Sequence, residues 1–251
     1  MRHRHPVPAA PAALLTALFV LGAWGPALHA APISWNNAAG GNWNAAANWN
    51  PMVVPGASDD AVITLAGTYT VTLDVNASVM SLTLGGASGT QTLSGSSRNI
   101  TLASPSAVNA NGVLSLTNGT LGGGGTLTNQ GATTLRTYTV SIPLDNQGTL
   151  DLRGTTDLNG SFTSGAGSTL HVEGDVTSGT ATVTVASGFT SNGTIELTSS
   201  NGSLGATLNV SAGTLLNPAG RTISVLAGAG GVRTLGARRA NQGPVTVGQA
   251  L

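Results

Sequence analysis

One nine-residue pattern recurs in this chain, and it limits the possible folds more than any single residue does. Val113-Leu114-Ser115-Leu116-Thr117-Asn118-Gly119-Thr120-Leu121 returns 94 residues later as Thr207-Leu208-Asn209-Val210-Ser211-Ala212-Gly213-Thr214-Leu215. A second marker, Asn146-Gln147-Gly148, returns 95 residues on as Asn241-Gln242-Gly243. Between the markers lie short apolar-alternating runs punctuated by Asn-Gly or Gly-Thr. Matching Asn and Gly positions are 18 residues apart (111 to 129) and then 17 (129 to 146). A chain that repeats one supersecondary unit at such a period buries its apolar side by stacking each unit on the last. The expectation is an all-β, parallel β-solenoid over residues 61–251 with a super-repeat of about 95 residues, its second copy truncated at Leu251.

The alternation is clean where it can be followed. Tyr69, Val71 and Leu73 point one way, and Thr68, Thr70, Thr72 and Asp74 the other, the period-two pattern of a half-buried strand. No stretch after residue 60 carries a 3.6-residue apolar period, so little helix is expected. Asn-Gly at 111–112, 118–119, 159–160, 192–193 and 201–202 marks turns where positive φ is cheap. Because Asn-Gly also closes antiparallel hairpins, an antiparallel β-sandwich is the alternative fold.

Composition removes several classes of function. Charged residues are 7% of the chain, against roughly 25% in an average soluble domain. From Ala31 onward seven Arg and no Lys face nine acids, which argues against nucleic acid and against a polybasic membrane patch. Without cysteine there is neither a disulfide framework nor a thiolate metal site. Val, Leu, Ile and Thr in alternating runs, at near-zero net charge, oppose disorder.

Residues 1–30 read as a secretory signal peptide: a basic start (Arg2, Arg4), an apolar stretch from Ala12 to Trp24, and a small-residue exit at Ala30-Ala31. The apolar stretch is shorter than a membrane span, and no later run approaches that length. The mature chain is therefore expected to be secreted or on the cell surface, without a transmembrane segment.

Residues 31–60 differ in composition from the rest of the mature chain. Trp35, Trp43 and Trp49 stand among six asparagines before Pro51 and Pro55-Gly56. The first coil of a solenoid has no neighbour on its outer side and needs a cap, and three large aromatics suit that task. The rival reading makes the three tryptophans glycan contacts. Asp59-Asp60 are two adjacent acids at a turn, too few for a Ca²⁺ cage.

The segments Ser34-Trp35, Gly41-Asn42-Trp43, Asn48-Trp49, Asp60-Ala61-Val62-Ile63, Tyr69 to Leu73 and Ser81 to Leu84 resemble the opening of large secreted bacterial β-strand-repeat proteins. Leu144 to Leu150 and Asn192 to Leu197 resemble the repeats of the same group, which is similar to autotransporter passengers and filamentous adhesins. The resemblance implies a right-handed parallel β-helix at the cell surface, with surface glycans or other cell-surface proteins as partners. The chain departs from a complete member in having no second apolar anchor and no membrane barrel. It ends inside the second copied block, which leads to an expectation of end-to-end self-association.

Residues with chemistry are sparse. His171 is the only histidine after the leader, placed opposite Leu170 and Val172, so a triad has no local support and a zinc site built from histidines is excluded by count. Asp145, Asp151, Asp157, Glu173, Asp175 and Glu196 offer carboxylates but no pair, and Arg136, Arg153 and Arg221 stand unaccompanied. Gly122 to Gly125 and Gly228 to Gly231 lack the following Lys of a phosphate loop. Thr-X-Thr runs show no constant position along the coils. No cofactor and no enzyme activity are expected. The reading is a non-catalytic display or adhesion module, and its alternative is a carbohydrate-binding or polysaccharide-degrading β-helix.

Overall fold

A computed structural model describes residues 32–248, together with Met1 and His3. The signal-peptide expectation for residues 1–30 otherwise lies outside the described residues, as does the chain end at 249–251.

The described chain winds into a parallel β-solenoid of about nine turns. Each turn contributes to three ladders. The first runs from Ile33–Trp35 through Asp60–Ile63, Ser81–Leu84, Ser106–Val108, Leu127–Asn129 and Leu144–Asn146 to Phe162–Ser164, and bridges at Ser164–Ser191 and Thr190–Leu216 carry it further. The second includes Tyr69–Leu73, Gln91–Ser96, Thr149–Arg153, Thr169–Gly174, Thr194–Ser199 and Thr222–Val225. The third includes Thr155–Leu158, Ala181–Val185 and the first half of Ala206–Asn217. All strand pairs are parallel except the pairing of Ile33–Trp35 with Trp49–Asn50 in the cap, so the sandwich alternative is set aside. Among the described residues the only helical segment is one 3-10 turn at Ala46–Asn48, and no helix is long and apolar enough to cross a membrane.

In-register pairing turns period-two alternation into interior columns. Val71, Leu93 and Leu114 stack, then Thr133, then Leu150, Leu170, Ile195 and Ile223, all of them buried. Each such aliphatic side chain contributes about 1.5–3 kcal/mol relative to exposure. Thr133 is tolerated in this column because its hydroxyl donates to Asn129 Oδ1 at 2.9 Å.

A polar column stands at the end of the first ladder. Asn129, Asn146, Ser164 and Ser191 follow one another in register, and Asn217 and Asn241 pair further on. Asn129 Nδ2 donates to Asn146 Oδ1 at 2.8 Å and to the Thr149 carbonyl at 2.9 Å. Asn217 Nδ2 donates to Asn241 Oδ1 at 2.8 Å. The marker at Asn146 is therefore a corner whose asparagine turns inward, whereas Asn241, its counterpart, is exposed and pairs with the buried Asn217.

Two sequence readings need correction. Among the Asn-Gly pairs only Asn118 has positive φ at the asparagine (54°), and Gly112, Gly160 and Gly193 are outside the left-handed region. Glycine is required there by close stacking: a Cβ on Gly160 or Gly193 would overlap the carbonyl oxygen of Ile142 or Ser168 on the preceding coil. The twin phrases also occupy different places. Val113 pairs with Ala132 on the second ladder, whereas Thr207 pairs with Thr182 on the third. What recurs is a 12-residue strand that turns a corner, at Asn118 in Gly112–Gly123 and at Gly213 (φ 80°) in Ala206–Asn217.

The tryptophans close the N-terminal end of the core. Trp49 meets Trp35 edge-on at 5.0 Å and Trp43 at 4.9 Å, and Trp35 stacks on Tyr69 at 6.5 Å. Gly41 and Asn42 pair with Val71 and Thr72 of the first full coil, which seats the cluster on the apolar columns.

Candidate functional site

Trp35, Trp43 and Trp49 are 2%, 1% and 1% exposed, so no indole face is open to a sugar. Their ring N–H groups that have partners point inward: Trp35 Nε1 donates to the Asn37 carbonyl and Trp49 Nε1 to the Trp43 carbonyl, both at 2.7 Å. Tyr69, Tyr138, Phe162 and Phe189 are also buried, and burial pushes the Tyr69 hydroxyl up to about 12.

The charged side chains converge instead. On the outward side of the second ladder Asp151, His171 and Glu196 occupy one register position on three consecutive coils. Two residues along the strands lie Arg136 and Arg153, themselves in register, and Glu173. Arg153 joins the group: Nη2 contacts Asp151 Oδ2 at 2.8 Å and Glu173 Oε2 at 2.5 Å, Nε donates to Asp151, and Nη1 contacts Asp175 Oδ2 at 2.6 Å. Arg136 Nη1 donates to the same Asp175 oxygen and, at 2.8 Å, to Ser178 Oγ. Arg136 and Arg153, which look solitary in sequence, are bridged through Asp175, and Asp151, Glu173 and Asp175 meet on Arg153.

Asp175 anchors a small outward hairpin. Its backbone exchanges hydrogen bonds with Gly179, and its Oδ1 accepts the N–H groups of Thr177 and Ser178 at 2.9 and 2.6 Å. With its side chain only 6% exposed, burial alone would raise the Asp175 carboxyl. The hydrogen bonds from Arg153, Arg136 and Ser178 outweigh burial and hold it far below the usual carboxylate range. Asp151 shows the same balance: burial raises it, and hydrogen bonds from His171 and Arg153 bring it below its ordinary value. His171 is raised, first by its contact with Asp151 (Nδ1 to Oδ1, 3.4 Å), against burial, and then by the charges of Asp151, Glu173 and Glu196.

The other candidates lie elsewhere. Asp145, on the first ladder, accepts from Thr163 and Gln147, both at 2.6 Å, and Asp157 is on the third ladder beside Thr184. Asp59, at a bend, accepts the Gly56 N–H at 2.8 Å, and Asp60, the first residue of the strand Asp60–Ile63, accepts the Ser81 hydroxyl at 2.5 Å. The Gly228 to Gly231 loop wraps a guanidinium: Arg233 donates to the Gly230 and Ala227 carbonyls at 2.8 and 3.3 Å. Threonines do hold one coil position after all, since Thr149, Thr169, Thr194 and Thr222 form an outward column, though Ala132 and Val113 interrupt its continuation.

Sequence reasoning missed the cluster because its members are one coil apart. Arg136 to Arg153 is 17 residues, Asp151 to His171 is 20 and His171 to Glu196 is 25, and no fixed spacing aligns all three. No family model, curated protein or solved structure matches this chain.

Proposed function

We propose that this chain is an exported, non-catalytic scaffold that spaces and displays surfaces outside the cell, with adhesion as its use. The observation that carries this reading is the division of side chains. All seven aromatic rings of the described residues are inside, while the outward columns are mostly Thr, Ser, Asn and mutually paired charges, with Val113 and Ala132 among them. Nine turns spaced about 4.8 Å apart give a rod on the order of 40 Å long. Its length is set by coil number, a property suited to a spacer. The basic-start leader and the resemblance to autotransporter passengers and filamentous adhesins support export, with surface glycans or cell-surface proteins as partners. At Val245–Val247 the second ladder has a neighbour on one side only among the described residues. End-to-end pairing with a second copy would cover that edge, and light scattering across a concentration series reads it directly.

The alternative is a polysaccharide-degrading β-helix, favoured by one observation: oxygens of Asp151 and Glu173 lie within 4.8 Å of each other, close to the spacing of about 5 Å found in retaining glycosidases. The electrostatics oppose it. A general acid needs a raised carboxyl, whereas Asp151 is lowered by His171 and Arg153, and Asp175 by Arg153 and Arg136. A polysaccharide panel assayed for reducing ends, beside a glycan array, tests the two readings. The scaffold reading expects no turnover. Turnover abolished by Asp151→Asn would replace it with the enzymatic one.

A further inference from the structure

The outward charge cluster has a donor set that ion pairing alone does not account for. One ligating atom from each of Asp151, His171 and Glu173 lies within 4.8 Å of the other two. An imidazole nitrogen with two carboxylate oxygens is a set suited to a divalent transition metal rather than to Ca²⁺, which takes six to eight oxygens. Glu196 is in register with His171 on the next coil, which places a further carboxylate beside the group.

Charge points the same way. Four carboxylates (Asp151, Glu173, Asp175 and Glu196) face two guanidinium groups (Arg136 and Arg153), so the cluster carries two net negative charges when His171 is neutral. A dication cancels them. The obvious competitor is Arg153, whose Nη2 bridges Asp151 and Glu173. Its Nη1, however, is on Asp175 at 2.6 Å. A metal that takes Asp151 and Glu173 therefore leaves Arg153 paired with Asp175, which it shares with Arg136.

We propose that Asp151, His171 and Glu173 form a binding site for a divalent transition-metal cation such as Zn²⁺, with Glu196 flanking it. Three protein ligands leave a coordination position for water or for Glu196. Because Asp151 stands on one coil and His171 and Glu173 on the next, the cation clips consecutive coils together on their outer side. This inference does not depend on the display role.

The test is calorimetric titration of the full chain at pH 7 with Zn²⁺ and, separately, Ca²⁺, followed by thermal unfolding with and without metal. The expected result is one saturable Zn²⁺ equivalent, a melting temperature that rises with it, and no saturable Ca²⁺ binding. His171→Ala removes a direct ligand, so affinity falls by at least the roughly 10–100-fold that loss of an outer-shell partner costs. Glu173→Gln, nearly isosteric, weakens binding in the same direction and serves if His171→Ala does not fold. Asp145→Asn, on the first ladder, binds as wild type. The leader histidines are present in every variant, so Zn²⁺ binding that survives His171→Ala and Glu173→Gln unchanged overturns the proposal. So does the absence of saturable Zn²⁺ binding, or Ca²⁺ binding of equal strength.

Discussion

Asn129 and Asn146, 17 residues apart in the chain, lie directly over one another inside the solenoid, the Nδ2 of the first donating to the Oδ1 of the second at 2.8 Å. Both are fully buried, and the remaining donors go to backbone: Asn129 Nδ2 also reaches the Thr149 carbonyl, and Asn146 Nδ2 the Thr169 carbonyl at 3.0 Å. A buried amide is tolerated only when so satisfied. Asn146→Ala removes the acceptor of Asn129 and leaves the Thr169 carbonyl without this donor. The expected loss is about 1–3 kcal/mol, read as a lower midpoint in urea at unchanged slope. The exposed Gln147→Ala, one residue away, is the control and should shift the midpoint little.

The same column has a gap. Ser191 Oγ and Asn217 Oδ1 are both buried without a hydrogen-bond partner, at neighbouring positions implied by the Thr190–Leu216 bridge. Serine is too short to continue what asparagine does at 129 and 146. Ser191→Asn is expected to supply the missing donor and stabilise the protein by about 1 kcal/mol, or roughly 2–4 °C in melting temperature for a chain of this size. A lower melting temperature would show that the corner has no room for the larger amide.

At the N-terminal end, Trp49 sits between Trp35 and Trp43 and donates to the Trp43 carbonyl. Trp49→Ala empties the centre of the cluster, for a loss of about 3–5 kcal/mol. Because each coil contacts mainly its neighbours, the damage should be local at first. Hydrogen exchange is expected to accelerate in Tyr69–Leu73 and Asp60–Ile63 well before Thr194–Ser199. Uniform acceleration along the chain would instead mean that the coils unfold as one unit.

How much of this was legible in the sequence depends on which regularities ignore coil length. Strand alternation does: Tyr69, Val71 and Leu73 face inward and Thr70 and Thr72 outward, as their period of two requires, and the three tryptophans cluster where a cap is needed. Cross-coil neighbours do not. Asn129 to Asn146 is 17 residues, but Ser164 to Ser191 is 27, because the Asp175–Gly179 hairpin and the loops beside it enlarge the later coils. A constant period of 17 would have placed Asp151 over Ser168 instead of His171. Asp175 is 39 positions from Arg136 and reaches it only because the hairpin folds back over two coils. The twin phrases misled for a related reason: they specify the conformation of a strand crossing a corner, and any corner accepts it.

The paired charges give a final prediction in the pH dependence of stability. The Asp175 carboxyl is held below its unfolded value, so its contribution is present above an unfolded pKa of about 3.9 and is lost as pH falls through the lower folded value. His171 works in the opposite sense. Its folded value is raised, so its contribution is complete below an unfolded pKa of about 6.5 and disappears as pH rises through the higher folded value. Both are in force together between about pH 4 and pH 6.5, and stability in EDTA should be greatest there. His171→Gln removes a titrating group but keeps a polar side chain, so the decline above neutral pH should flatten while the acid limb persists. Asp175→Asn should do the reverse. It also leaves Arg136 and Arg153 facing each other without their shared anion, so its stability should recover in added salt more than that of His171→Gln. Urea midpoints measured from pH 3 to pH 9 at two ionic strengths separate these effects, and an alkaline limb unchanged by His171→Gln would remove the imidazole from the account.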